Sequence, residues 1–310
     1  MNDFKSVDIL RDRPVFICGH PKAGTSLLRG ILDSHPQLIV FPEETVFFRR
    51  FLPRARAKSL DQQLDIADET LIHIFTWNRD QPVAGQEDFP GRDYSTIPFD
   101  AVHQTMRQLI ANTGYRHAGD ILSSAILAFG KVTGQFLSNT QYWVEKSPYN
   151  ELFTAQIFQW WPEARCIHVV RDPRDNFASY SRKHPNWTAE YFAQNWKRST
   201  RAGFTNREKY GTNRYWLVRY EDLVQSPKEN LEQIINFLNI SWDPTLTLPM
   251  RAGESWQGNS MFSDQFKQIS TTPLGRWKVS LTCKEVALIE LMTQPFFENF
   301  WTYPALSPVE

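Results

Sequence analysis

The sequence predicts an α/β chain: a P-loop-type parallel sheet flanked by helices, with a helical insertion after the second strand. Three observations predict it. Short apolar runs alternate with helical patterns through most of the 310 residues, the signature of parallel strands joined by crossover helices. The first run, "PVFIC", leads straight into "GHPKAGTS", a glycine-bearing turn of the phosphate-loop kind. Later runs end in the polar turns "EKSP", "RDPRD" and "RYED". In such sheets the ligand crevice lies outside the carboxyl ends of the strands, so these turns should face one crevice.

The elements follow in order. Val15 to Cys18 is a buried strand, and Thr25 to Ser34 a helix with Leu27, Leu28, Ile31 and Leu32 inward. "QLIVF" is a second strand, closed by Pro42. Residues 43 to about 138 are mostly helical, with an irregular middle around "DQPVAGQEDFPGRDYSTIP". "YWVEKSP" is a third strand and "ARCIHVVRDPRD" a fourth, followed by the helix "DNFASYSRK". "NRYWLVRYEDL" is a fifth, and "SPKENLEQIINFLNI" a helix with a Ser-Pro start. No repeat, low-complexity segment or linker interrupts the pattern. Residues 1–310 read as a single domain, with an insertion at about 43–140 shaping a second binding site.

Hydrophobic residues make 41% and aromatics 14%, which excludes a disordered chain. Lys plus Arg and Asp plus Glu are 34 each, a net charge of zero. That argues against nucleic acid or an anionic membrane as the main partner. No apolar run reaches the roughly 18 residues of a membrane span. The first residues, "MNDFKSVDILRDRPVF", hold no apolar signal core. Cys18, Cys166 and Cys283 are scattered and odd in number, which fits a reducing compartment and offers neither a disulfide framework nor a Cys metal site. The expectation is a cytoplasmic protein with no membrane span and no metal requirement.

The turn at 19–26 departs from the nucleotide-triphosphate pattern G-x-x-x-x-G-K-[ST]. Gly19, Gly24 and Ser26 keep the spacing, but Thr25 holds the lysine slot and Lys22 stands inside the loop. The glycines turn backbone N–H groups inward, the helix beginning near Thr25 adds its positive end, and Thr25 and Ser26 add hydroxyls. A plain strand-to-helix turn would need none of this. The loop suits a diphosphate-like group lacking a γ-phosphate.

"GHPKAGTSLL" resembles the 5′-phosphosulfate loop of sulfotransferases that use 3′-phosphoadenosine 5′-phosphosulfate (PAPS). "VVRDPRDNFASYSRK" is similar to their 3′-phosphate segment, in which an arginine and a serine eight residues later bind the 3′-phosphate; Arg171 and Ser179 have that spacing. "RYEDL" and "GRWK" also look like family landmarks. The similarity runs from about residue 14 to 280, apart from the insertion. It implies PAPS as co-substrate, sulfuryl transfer to an acceptor hydroxyl, and donor contacts from Lys22, Ala23, Gly24, Thr25, Ser26, Arg171, Ser179, Tyr220, Ser260, Gly275 and Arg276. Lys22 would meet the bridging oxygen that gains charge as sulfur leaves. Without the family, Arg171 is a planar fork suited to phosphate, or a structural ion pair with Asp172, Asp175 or Asp222. Arg174 reads as a solvated charge.

"DSHPQLIVFPEETVF" resembles the segment of tyrosylprotein-type sulfotransferases that carries a glutamate base. The match falls on Glu44, but the chain is one residue longer here, which keeps Glu43 open. Without the family, an adjacent Glu pair at a helix start complements the helix dipole. Lys146, after the third strand, resembles a lysine directed at the sulfuryl group; otherwise it pairs with Glu145 at the surface. The cytosolic small-molecule branch has a histidine base beside that lysine, where this chain has Ser147 and Pro148, so it sides with the carboxylate branch. His20 reads as structural. The cytosolic branch also has an Arg-Lys-Gly run where this chain has Ser270, Thr271 and Thr272.

The insertion should form the acceptor site. "FFRRFLPRARAK" (47–58) holds five basic residues in twelve, with Trp77, Phe89 and Tyr94 beyond it. It reads first as an amphipathic helix with a solvated basic face and a phenylalanine core, and otherwise as a basic, aromatic-lined cleft. The acceptor stays open among small molecule, glycan, lipid and peptide tyrosine. The rivals are a small P-loop kinase, which needs Mg²⁺, and a nucleotide-binding module without chemistry.

Overall fold

A computed structural model describes residues 2–80, 94, 96–262 and 264–300, without the side chains of 2–6, 77–80 and 297–300. Phe89 and the Trp77 side chain therefore lie outside the described residues. In chain order the elements are α1 (Asn2–Arg11), β1 (Pro14–Cys18), α2 (Thr25–Leu32), β2 (Leu38–Val40), a π-turn (Phe47–Phe51) continued by α3 (Leu52–Ala55), α4 (Leu60–Asp80), α5 (Phe99–Thr113) and α6 (Gly119–Val132). Then come β3 (Tyr142–Lys146), α7 (Thr154–Trp160), β4 (Arg165–Val170), α8 (Pro173–Lys183), α9 (Ala189–Tyr210), β5 (Tyr215–Arg219), α10 (Tyr220–Gln225) and α11 (Pro227–Leu238). A hairpin, β6 (Met250–Arg251) and β7 (Glu254–Ser255), precedes α12 (Trp277–Ser280) and α13 (Cys283–Phe300).

The five long strands form one sheet in the order β2-β3-β1-β4-β5. Every neighbouring pair is parallel. Side chains alternate between its faces, as strand pleat requires. Phe16, Cys18, Ile39, Trp143, Cys166 and Tyr215 join one apolar core with α1 and α4–α7. Val15, Ile17, Leu38, Val40, Tyr142, Val144, Ile167, Val169 and Val218 join the other with α2, α10 and α11. A third cluster, including Phe177, Phe192, Trp196 and Ile289, ties α8 and α9 to α13.

This order places the site. β1 lies in the middle, so the loop after it emerges between two other strand ends. Ile17 pairs with Lys146 of β3 on one side, and Cys18 pairs with His168 of β4 on the other. Lys146 and Arg171 therefore flank the loop. Glu43 and Glu44 follow β2, beyond β3, and the turn into Tyr220 follows β5, beyond β4.

Six helices have no counterpart in the sequence reading: α1, α7, α9, α12 and α13, and α10, which takes up the "YEDL" end of the expected fifth strand. In α1, Val7 and Leu10 are buried, too short an apolar stripe to stand out. In α9 the inward face mixes Phe192 and Trp196 with Ser199, Thr200 and Gly203, so small polar residues hide its period. In α13, Pro295 sits inside the helix, where proline is a breaking signal.

Candidate active site

The loop is held from below. Gly19 donates its N–H to the buried Glu151 carboxylate at 2.9 Å. Ser199 of α9 bonds the other oxygen of that carboxylate. Asn176 holds the Pro21 carbonyl at 2.8 Å. Gly24 caps α2 with φ 101°, in the region that favours glycine. A Cβ there would lie 2.3 Å from the Tyr220 ring, so no side chain fits. The first-turn N–H groups of α2 have no helical carbonyl before them. Gly24, Thr25 and Ser26 line a cleft of about 1080 Å³.

Arg171 lies across this loop, 5% exposed. Its guanidinium donates to the carbonyls of Lys22 (3.1 Å) and Pro273 (2.9 Å) and stands 4.5 Å over the Tyr220 ring. Its Nε is buried without a partner. None of the three acids considered for it takes it. Asp172 bonds Arg174 at 2.6 Å, Asp222 lies 3.5 Å from Arg219, and Asp175 accepts the N–H groups of Gly275 (2.7 Å) and Trp277 (3.0 Å). Arg174 is not the solvated charge expected: it is buried, bound to Asp172 and to Glu290 at 2.8 Å. Ser179, two turns into α8, lines the cleft with Arg171, because Pro173 starts α8 at the strand end and Asp172 caps it.

The two glutamates are separated. Glu43 is ion-paired with Arg251 of β6 and accepts the Tyr94 hydroxyl at 2.9 Å. Glu44 is ion-paired with Lys146. Lys146 is 2% exposed and is not paired with Glu145. Glu145 is buried and braces the preceding turn, accepting the hydroxyls of Thr45 (2.8 Å) and Ser147 (2.5 Å) and the Asn150 amide (2.7 Å). Ser147 in turn accepts the Val46 N–H at 2.8 Å. Burial pushes the Glu44 carboxyl up, but the Lys146 ammonium outweighs it and holds Glu44 below the usual carboxylate value. Burial lowers Lys146, against the pull of Glu44. Burial raises Glu145, against its hydroxyl and amide donors.

His20 is buried against Tyr149, Tyr180 and Phe192, and burial lowers its pKa to about 4. Of the other expected residues, Lys22, Tyr220, Ser260, Ser270 and Arg276 line the cleft. The Lys22 ammonium donates to the Asn259 carbonyl at 3.3 Å. Ser260 donates to Asp264 at 2.6 Å, and Arg276 lies 2.8 Å from the same carboxylate. Two residues are not brought in. Ala23 is buried with its N–H on the His20 carbonyl (3.1 Å), and the Gly275 N–H is taken by Asp175.

The rest of the cleft is walled by more than the insertion. Phe47, Phe48 and Phe51 enter the core, while Arg49, Arg50 and Arg54 of the same stretch line the cleft. Lys183, Trp187, Tyr191 and Arg198 from α8, α9 and the turn between line it too, which sequence reasoning missed along with α9. It also missed Arg29, buried in α2 among apolar positions, and Arg251; Arg29 falls one turn after Thr25 and Ser26, the only signal that marked it.

The sequence profile of the sulfotransferase family matches residues 14–244, three quarters of the chain and all five strands of the parallel sheet. The chain belongs to the sulfotransferase family. It is 23% identical over 241 residues to protein-tyrosine sulfotransferase 2 of Gallus gallus, covering 75% of this chain and 52% of that protein. It is 22% identical over 236 residues to protein-tyrosine sulfotransferase A of Caenorhabditis elegans, covering 74% and 50%. The chain thus spans about half the length of these relatives. The sulfotransferase domain of the Synechococcus PCC 7002 olefin synthase has the same fold, with a TM-score of 0.53, 21% identity, and 94% and 96% of the two chains covered. No described helix of this sulfotransferase family member is long and apolar enough to cross a membrane.

Proposed function

We propose that this sulfotransferase family member moves a sulfuryl group from PAPS to an acceptor hydroxyl, with Glu44 as the base. One observation carries the reading: an anion loop, a phosphate-type arginine and a lysine-paired carboxylate open into a single cleft. The residues fit the donor. The start of α2 with Thr25 and Ser26 suits the phosphosulfate end. The partnerless Nε of Arg171 and the nearby Ser179 suit a 3′-phosphate.

Glu44 takes the proton of the acceptor hydroxyl. The hydroxyl oxygen then forms its bond to sulfur as the bond to the bridging phosphate oxygen breaks, and that oxygen keeps the electron pair. Lys22 and the α2 amides meet the charge that grows there, and Lys146 meets the oxygens in transfer. Lys146 releases Glu44 as it does so, which leaves the carboxylate to the acceptor. Glu43, held by Arg251 and Tyr94, is not available. The protein-tyrosine sulfotransferases among the relatives make a tyrosyl phenol the first acceptor to test.

The test is transfer of ³⁵S from labelled PAPS to a panel of phenolic, glycan and lipid hydroxyls, with and without Mg²⁺. Label transferred without added metal supports the reading. Turnover of ATP in place of PAPS would replace it with a kinase.

A further inference from the structure

We propose that Arg29 is an anion-binding residue of the transfer centre, holding oxygens of the sulfuryl group as it passes from donor to acceptor. The inference deepens the reading above and rests on it. Arg29 is 2% exposed and lines the cleft. Its Nε is buried with no partner, and none of the side-chain hydrogen bonds or ion pairs found among the described residues reaches its guanidinium. A guanidinium carries five N–H donors and does not lose its charge in proteins. A buried one without acceptors is missing an anion.

The neighbouring acids do not supply it. Glu43 is engaged by Arg251 and Tyr94. Asp33 accepts the N–H groups of Ala252 (2.8 Å) and Gly253 (3.3 Å), and the Ser34 hydroxyl at 3.2 Å. Burial and then the Arg251 cation lower the Arg29 pKa, and Arg29 in turn helps lower that of Lys146. Glu43, Tyr94 and Asp33 pull the other way, but through space, since no side-chain hydrogen bond or ion pair among the described residues joins them to Arg29.

Helix geometry says where the missing anion belongs. Side chains of a helix tilt toward its N-terminus and lie over the preceding turn. For Arg29 the preceding turn is Thr25–Ser26, where the anion loop ends. Arg29 is therefore aimed at the group bound at the start of α2, and its closeness to Lys146 puts it on the side from which that group leaves. It forms no covalent bond and gives up no proton.

The experiment is calorimetric binding of PAPS and of adenosine 3′,5′-bisphosphate, without acceptor, to the wild type, Arg29→Gln and Arg29→Lys. Losing charge-assisted bonds to the sulfuryl oxygens should weaken PAPS about tenfold in Arg29→Gln, with the bisphosphate within about twofold. Arg29→Lys, which keeps charge but not the fork, should recover part of the loss. Should Arg29→Gln fail to fold, Arg29→Lys alone should bind PAPS about threefold more weakly at unchanged bisphosphate affinity. Unchanged PAPS affinity, or an equal loss for both ligands, overturns the proposal. A wild type that binds neither ligand instead removes the donor assignment on which it rests.

Discussion

Lys146, the last residue of β3, is ion-paired with Glu44, 102 positions earlier in the chain. The contact exists because β2 and β3 are neighbours in register, so their ends open side by side. Burial alone would raise Glu44; the ammonium more than offsets it and keeps the carboxyl below its ordinary value of 4.5. A depressed carboxyl is ionised, and so able to accept a proton, at every pH above its folded pKa. The acid limb of the rate against pH should therefore fall below pH 4.5 in a plot of kcat/KM. The stability given by this pair is likewise present above the unfolded pKa and lost as pH falls through the folded one. An acid limb centred at pH 6 to 7 would show that Glu44 is not the base.

The two glutamates should give different phenotypes. Glu44→Gln keeps the shape but cannot take a proton, and should cut kcat by about 10²–10⁴ with PAPS affinity intact. Glu43→Gln leaves the buried Arg251 charge without its partner. It should lower stability by about 3 kcal/mol, read in urea unfolding, and change kcat little. Exchange of the two outcomes would make Glu43 the base.

Arg171→Ala should remove the preference for a 3′-phosphate. Calorimetry on the wild type should show adenosine 3′,5′-bisphosphate bound more tightly than adenosine 5′-phosphate by about 1.5–3 kcal/mol, the worth of a charge-assisted bond. In the variant the two nucleotides should bind alike. Equal binding by the wild type would refute the assignment of the β4 end.

Lys22→Ala should separate chemistry from binding. Charge on the bridging oxygen grows only in the transition state, so kcat should fall strongly while product affinity stays within a few-fold. A kept kcat with lost nucleotide affinity would reduce Lys22 to a binding residue.

His20 offers a test of stability. Its pKa falls from 6.5 unfolded to about 4 folded, because burial disfavours the charged ring. Between these values the unfolded chain binds the extra proton, so this group's contribution to stability rises with pH across the window and is lost as pH falls. His20→Phe should flatten the slope of unfolding free energy between pH 6.5 and 4. A variant with the wild-type slope would show that the ring is already protonated in the folded protein.

The sheet, and the gathering of the glycine loop with Arg171 and Ser179 at one cleft, are legible because they are local. A strand, a glycine turn and a helix start lie within a dozen residues, and Arg171 and Ser179 share one strand–helix junction. The carboxylate half was legible only through resemblance. The different surroundings of Glu43 and Glu44 come from Arg251, Tyr94 and Lys146, which lie in three distant segments. Nothing around Glu43 in the sequence marks Arg251 as its partner. Arg174 was misjudged for the same reason, since Glu290 of α13 completes its pairing. Basic residues at 49, 50 and 54 could not be sorted between solvent and cleft without knowing that a π-turn holds Phe47, Phe48 and Phe51 inward.

The Tyr220 ring has Gly24 against it and Arg171 over it. This contact makes the three positions a single unit of inheritance. A side chain gained at 24 collides with the ring, and a ring lost at 220 takes away the surface on which Arg171 rests. Lineages that keep the activity should hold all three together, and those that abandon it should lose them together. A descendant with alanine at 24 and an unaltered tyrosine at 220 is the combination that should be missing from any collection of working relatives.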